Sequence, residues 1–145
     1  MKTNYANGKL LITGEYLVLE GANSLAIPCA KGQRIEYTPN NKINTIDWIS
    51  LDYLNKEWFS AKFESDSLDI LSSSDKYKAK HLQKMLIEAY KLSNDKLSGQ
   101  IKTTLEFPND WGLGSSSTLI VCISKLLKIN PLDLHFNSSN GSGYD

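Results

Sequence analysis

The chain has 145 residues, 41% of them hydrophobic, enough for a single domain over 1–145 that buries roughly 70% of its unfolded surface. Sixteen Lys and Arg balance sixteen Asp and Glu, and the lysines are scattered rather than gathered in a stripe, which argues against a nucleic-acid partner. Cys29 and Cys122 lie far apart without the spacing of a disulfide framework or a zinc site, the N-terminal "MKTNYANGK" lacks the apolar core of a secretory signal, and no stretch approaches a membrane span. These features lead to the expectation of a cytoplasmic protein that makes no membrane contact.

In chain order, "GKLLITGEYLVLEG" (8–21) holds two strand-length apolar segments separated by Gly14-Glu15, where the glycine marks a bend or a close backbone approach. "EGANS" reads as a turn. In "QRIEYT" (33–38), Ile35 and Tyr37 alternate with Arg34, Glu36 and Thr38, the pattern of a half-buried strand. "PNNKIN" is a turn, and "TIDWISL" and "EWFSAKF" form two strands joined by "DYLNK" as a hairpin. The serine-rich "SDSLDILSSSD" (65–75) is expected to be a loop, with Ser74 or Asp75 capping the next helix.

From Lys76 to Leu92, apolar residues recur at helical spacing on one face. "QIKTTLEF" (100–107) alternates cleanly, with Ile101, Thr103, Leu105 and Phe107 on one side, and is ended by Pro108-Asn109-Asp110. A helix from Ser116 to Lys128 is apolar nearly all round and therefore buried, with Cys122 as a small core residue. "INPLDLHFNSSN" holds at most one short helical turn, with His135 in a loop and His81 on the amphipathic helix, neither given a chemical role. This order predicts an α+β fold with one mixed or antiparallel sheet and helices packed on it.

The chemistry concentrates at "DWGLGSSSTLIV" (110–121). Serines and glycines are poor helix formers, yet they stand directly before a helical run. A helix start leaves backbone amides without partners and carries a partial positive charge. Gly112 and Gly114 let the backbone curl so that several amides converge, and Ser115, Ser116, Ser117 and Thr118 add hydroxyls, an arrangement suited to phosphate. Read alone, the same residues also describe a serine cap after a glycine turn. The segment is neither a Walker loop, since no GxxxxGK[ST] occurs, nor a dinucleotide fingerprint, since the third glycine is missing.

Two further stretches join it. "GKLLITGEYLVLEG" resembles the first motif of the GHMP kinases, the superfamily of galactokinase, homoserine kinase, mevalonate kinase and phosphomevalonate kinase. "WGLGSSSTL" resembles their second motif, the ATP-phosphate loop, and the final "GSGYD" resembles the segment that carries the catalytic aspartate, most like a compact bacterial branch named for a GYDIA signature. The resemblance implies the fold of the GHMP N-terminal domain, itself similar to a ribosomal-protein fold, and an ATP- and Mg²⁺-dependent kinase. It implies that Gly112, Leu113, Gly114, Ser115, Ser116 and Ser117 cradle the phosphates and that Ser116, with Glu15, serves Mg²⁺. It further implies that Lys9 lies beside the transferred phosphate and that Asp145 is the base.

Where many members carry a metal-binding glutamate before that aspartate, this sequence has Leu134, with Asp133 the nearest carboxylate. Tyr16 after Glu15 is more typical of phosphomevalonate kinases, so the expected acceptor is phosphomevalonate or mevalonate, with a sugar or amino alcohol as the alternative. Members run on through a second half with a third glycine-rich motif. The chain is therefore expected to be an N-terminal ATP-binding domain without its C-terminal companion, and inactive or nearly so alone. The rival readings are a non-catalytic domain and a degenerate nucleotide-binding module.

Overall fold

The computed structural model describes residues 1–13 and 23–138. Among these residues a six-stranded sheet and three helices follow in the order β1 (Lys2–Thr13), β2 (Leu25–Pro39), β3 (Thr45–Leu51), β4 (Glu57–Glu64), β5 (Ile70–Ser73), α1 (Lys76–Leu92), β6 (Gly99–Leu105), α2 (Ser115–Leu127) and α3 (Pro131–Ser138). The sheet order is β1-β2-β6-β3-β4-β5. Neighbouring strands are antiparallel except β3 and β6, which run parallel. The α+β class and the mixed sheet expected from the sequence are both present.

One face of the sheet is dry. Ile35 and Tyr37, Trp48 and Ser50, Phe59 and Phe63, and Ile101, Thr103 and Leu105 all point to the helices. Register aligns them, since Ile35 pairs with Thr103, Tyr37 with Ile101, and Ile46 with Phe63. The period of two in the sequence thus becomes one continuous apolar layer. The other face carries cross-strand ion pairs between register partners, Lys102 with Glu36 at 2.6 Å and Lys62 with Asp47 at 3.1 Å. On that face Tyr5 donates to Glu106 at 2.6 Å, and burial with this carboxylate contact pushes its phenol up to about 12.

The helices close the dry face. α2 packs against β1 and β2, and α1 packs against β5 and α3. α2 buries Ile120, Cys122, Ile123, Leu126 and Leu127, and burial pushes the Cys122 thiol up to about 11. α1 buries the single stripe Ala79, Leu82, Leu86 and Ala89. No helix among the described residues is long and apolar enough to cross a membrane.

Three expectations are corrected. The serine-rich 65–75 segment is not all loop, because Ile70–Ser73 forms edge strand β5, with Ser72 opposite Lys62 and Ser73 opposite Ala61. Pairing with β4 supplies the order that four residues with little apolar alternation do not announce. The single turn expected near 131–138 is an eight-residue helix, and His135 lies buried in it rather than in a loop. The first two strands are also longer than their apolar cores, because β1 and β2 pair with each other from Lys2↔Tyr37 to Thr13↔Leu25. The bend at Gly14 and the apolar segment after it lie outside the described residues.

Candidate functional site

After β6 the chain passes Pro108, makes one 3₁₀ turn over Asn109–Trp111, and enters α2 through Gly112, Leu113 and Gly114. Both glycines are left-handed, Gly112 at φ 67° and Gly114 at φ 77°. Other L-residues pay roughly 1–2 kcal/mol for that conformation. The two differ in their surroundings. A Cβ on Gly112 would meet nothing, whereas a Cβ on Gly114 would fall 2.6 Å from Ser117 Oγ and 3.4 Å from Lys9 Cγ.

Gly114 is the N-cap of α2 and offers no side chain to it, and the first turn has no acidic residue. The hydroxyls that follow turn to carbonyls instead. Ser117 Oγ donates to Gly114 O at 2.9 Å, and Thr118 Oγ1 donates to Gln33 Oε1 at 2.7 Å, with Ser115 O a second acceptor at 3.0 Å. The first intrahelical bond is Thr118 N–H to Gly114 O. The amides of Ser115, Ser116 and Ser117 therefore have no acceptor within the helix, and the positive end of the dipole adds to their field.

β1 brings Lys9 to this junction. Its register against β2 slips between Asn7↔Gly32 and Lys9↔Pro28, a bulge that turns the Lys9 amide off the ladder. That amide donates to Leu113 O at 3.1 Å. Gly8 permits the approach, since a Cβ there would stand 3.0 Å from Lys31 O and 3.1 Å from Leu113 O. The Lys9 stem lies along Gly114, and partial burial pulls its ammonium below the ordinary lysine value.

Also at the helix start is a cavity of about 220 Å³, with Ser115, Ser116, Asn109, Gln33, Trp58 and Lys78 among its lining residues. It adjoins a wider groove of about 570 Å³ bordered by Tyr53, Trp58 and Trp111 together with Asp52 and Asp110. Trp58, Leu105 and Asn109 belong to both. Trp111 and Tyr53 are substantially exposed, so aromatic residues border an open groove, and the cavity it adjoins reaches Ser115 and Ser116 at the start of α2. Sequence reasoning did not single out these aromatic residues or Lys78. The available signal was three aromatic residues, in "DYLNKEW" and "DW", beside polar turn residues.

Seven of the residues singled out in the sequence thus stand together: Lys9, Gly112, Leu113, Gly114, Ser115, Ser116 and Ser117. Ser116 is exposed at the helix start, while the Ser117 hydroxyl is committed to Gly114 O. Glu15 and Asp145 lie outside the described residues, as do Tyr16 and the "GSGYD" segment. On α3, Asp133 is exposed and Leu134 fully buried. Among the described residues no group of three His, Cys, Asp or Glu side chains could hold a metal ion.

No family model matches the sequence. No curated protein matches it either. Solved structures do match: the crystal structure of Lactococcus lactis galactokinase complexed with galactose superposes with a TM-score of 0.68 at 15% identity, over 92% of this chain and 35% of the galactokinase chain. The fold is therefore one found within galactokinase, and this chain spans about a third of that protein's length.

Proposed function

We propose that the chain is the nucleotide-binding part of an ATP-dependent small-molecule kinase of the GHMP type, in the cytoplasm. The observation that carries the proposal is the open start of α2, behind two left-handed glycines and beside the stem of Lys9. The likeness to galactokinase supports it at the level of fold. In this reading Gly112, Leu113, Gly114, Ser115, Ser116 and Ser117 receive the phosphates chiefly through backbone amides, which explains why the Ser117 and Thr118 hydroxyls can turn away. The aromatic groove past Trp58 receives the base, whose faces suit stacking.

The reaction in this reading joins those parts to Asp145 and Glu15. The acceptor hydroxyl, or a phosphate oxygen of a phosphorylated acceptor, attacks the γ-phosphorus, the new O–P bond forms as the bond to ADP breaks, and Asp145 takes the proton where a hydroxyl attacks. Lys9 and the α2 amides offset charge on the phosphoryl oxygens, and such positioning and electrostatic help is most of what phosphoryl transfer requires. Mg²⁺, held by Ser116 with Glu15, would neutralise further charge across the phosphates. The acceptor is a small molecule that presents a hydroxyl or a phosphate. The Glu15-Tyr16 pair supports phosphomevalonate or mevalonate, and the galactose held by the structural neighbour supports a sugar.

Calorimetric titration of Mg-ATP into the purified chain, beside a Gly114→Val variant, tests the proposal. Binding that the variant abolishes is expected, because valine at φ 77° with its Cβ against Ser117 Oγ must displace the loop. A folded wild-type chain that takes up no Mg-ATP would sink it.

A further inference from the structure

We infer that Lys78 is a second cationic contact for the phosphate chain, in addition to Lys9; this rests on the nucleotide reading above. Lys78 belongs to the first turn of α1, yet it lines the same cavity of about 220 Å³ as Ser115 and Ser116 of α2. The first turn of α1 therefore sends one residue to the space at the start of α2. Among the described residues that line it, Lys78 is the one charged side chain and none is a carboxylate. Two sources make the cavity's field positive, the lysine and the uncapped start of α2.

The lysine is held in reach but not consumed. Its ammonium lies 5.3 Å from the centre of the Trp58 ring, a cation–π contact with another residue that lines the cavity. Its ion pair with Asp75 at 3.1 Å joins two half-exposed side chains three residues apart, a pairing worth little in water. A lysine in the first turn of a helix also opposes the dipole there. A polyphosphate offers Lys78 charge-assisted hydrogen bonds that the exposed aspartate pair does not match. Exchange of Asp75 for a phosphate oxygen needs only rotamer changes in Lys78, because Asp75 stays tied to the Tyr77 and Lys78 amides at 2.9 and 3.1 Å.

Two probes separate this role from alternatives: Mg-ATP and inorganic tripolyphosphate with Mg²⁺, each titrated into wild type, Lys78→Met, Lys78→Arg and Gly114→Val. Lys78→Met is expected to weaken both ligands by a similar factor, on the order of tenfold. Lys78→Arg should restore most of the affinity, since arginine keeps the charge and the ring contact. The substitution leaves the backbone cap intact, so the melting temperature should hold within a few degrees. Wild-type binding that Gly114→Val abolishes but Lys78→Met leaves unchanged overturns the lysine's role alone. ATP affinity lost in Lys78→Met with tripolyphosphate affinity kept also overturns it, because the side chain would then serve the base or ribose. A wild-type chain that binds neither ligand overturns both the loop reading and this one.

Discussion

The two long helices begin in opposite ways. α1 starts behind Asp75, whose carboxylate accepts the amides of Tyr77 and Lys78. α2 starts behind Gly114, with no side-chain cap and no acidic residue in its first turn. Yet α2 is the more buried helix, and its start is braced from below, by the Thr118 hydroxyl on Gln33 and the Ser117 hydroxyl on Gly114 O. Both braces use carbonyl oxygens and spend no amide. α1 therefore satisfies its own end, whereas α2 is held rigidly while its amides stay open. A helix end that is stable and unsatisfied at once is suited to a ligand rather than to solvent.

The comparison breaks most sharply at Ser115. Ser115→Asp places a carboxylate at the positive end of α2, which should stabilise the helix by about 0.3–1 kcal/mol. The same charge should cost about a hundredfold or more in Mg-ATP affinity, since like charges in a desolvated contact oppose each other by several kcal/mol. A thermal melt and a titration on one sample read both effects. Retained affinity would reduce α2 to an ordinary helix that lacks a cap.

The brace comes next. Gln33 is 3% exposed and Thr118 2% exposed, so Gln33→Leu removes a buried acceptor. A loss of about 1–3 kcal/mol in urea unfolding is expected. Nucleotide affinity should fall with it, because the first turn of α2 loses its anchor to β2.

The cap of α1 gives a smaller effect of a different kind. Asp75→Ala should lower the melting temperature by a few degrees and leave Mg-ATP affinity undiminished. The Lys78 amide, the Lys78 ammonium and the Tyr77 amide hold the Asp75 carboxyl below its ordinary 3.8. A carboxyl depressed on folding contributes stability above its unfolded value and loses it as pH falls through the folded one. Wild type and variant should therefore differ at pH 7 and converge below about pH 4. Melting curves across that range check the sign.

The smallest effect belongs to the open face of the sheet. Lys102→Ala removes the pair with Glu36, both partly exposed, and should change stability by no more than about 1 kcal/mol with no change in affinity. A large change there would mean that this face is covered in the working protein.

Much of this was legible in one dimension. The α1 boundaries, a cap at Ser74 or Asp75 that proves to be Asp75, the alternation of β6 and the β3–β4 hairpin all follow from patterns within a few residues. In the hairpin Asp52 accepts the Leu54 and Lys56 amides, a local bond of the kind that "DYLNK" advertises. β5 was missed because "ILSS" becomes a strand only beside β4, and His135 was misplaced because the helix around it depends on packing against α1 and α2.

The site divides along the same line. The sequence by itself determined where the glycines fall, that a buried helix follows them and that four hydroxyls stand at its start, because dihedral freedom and helix-end chemistry are local properties. Resemblance alone singled out Lys9. Only the tertiary structure decided that Lys9 lies against Gly114, that Gln33 holds Thr118, and that Trp58 and Lys78 share a cavity with Ser115. Those partners are separated by tens of residues in the chain, up to 105 between Lys9 and Gly114. Sheet order and strand register bring them together, and neither is written in any short window of residues.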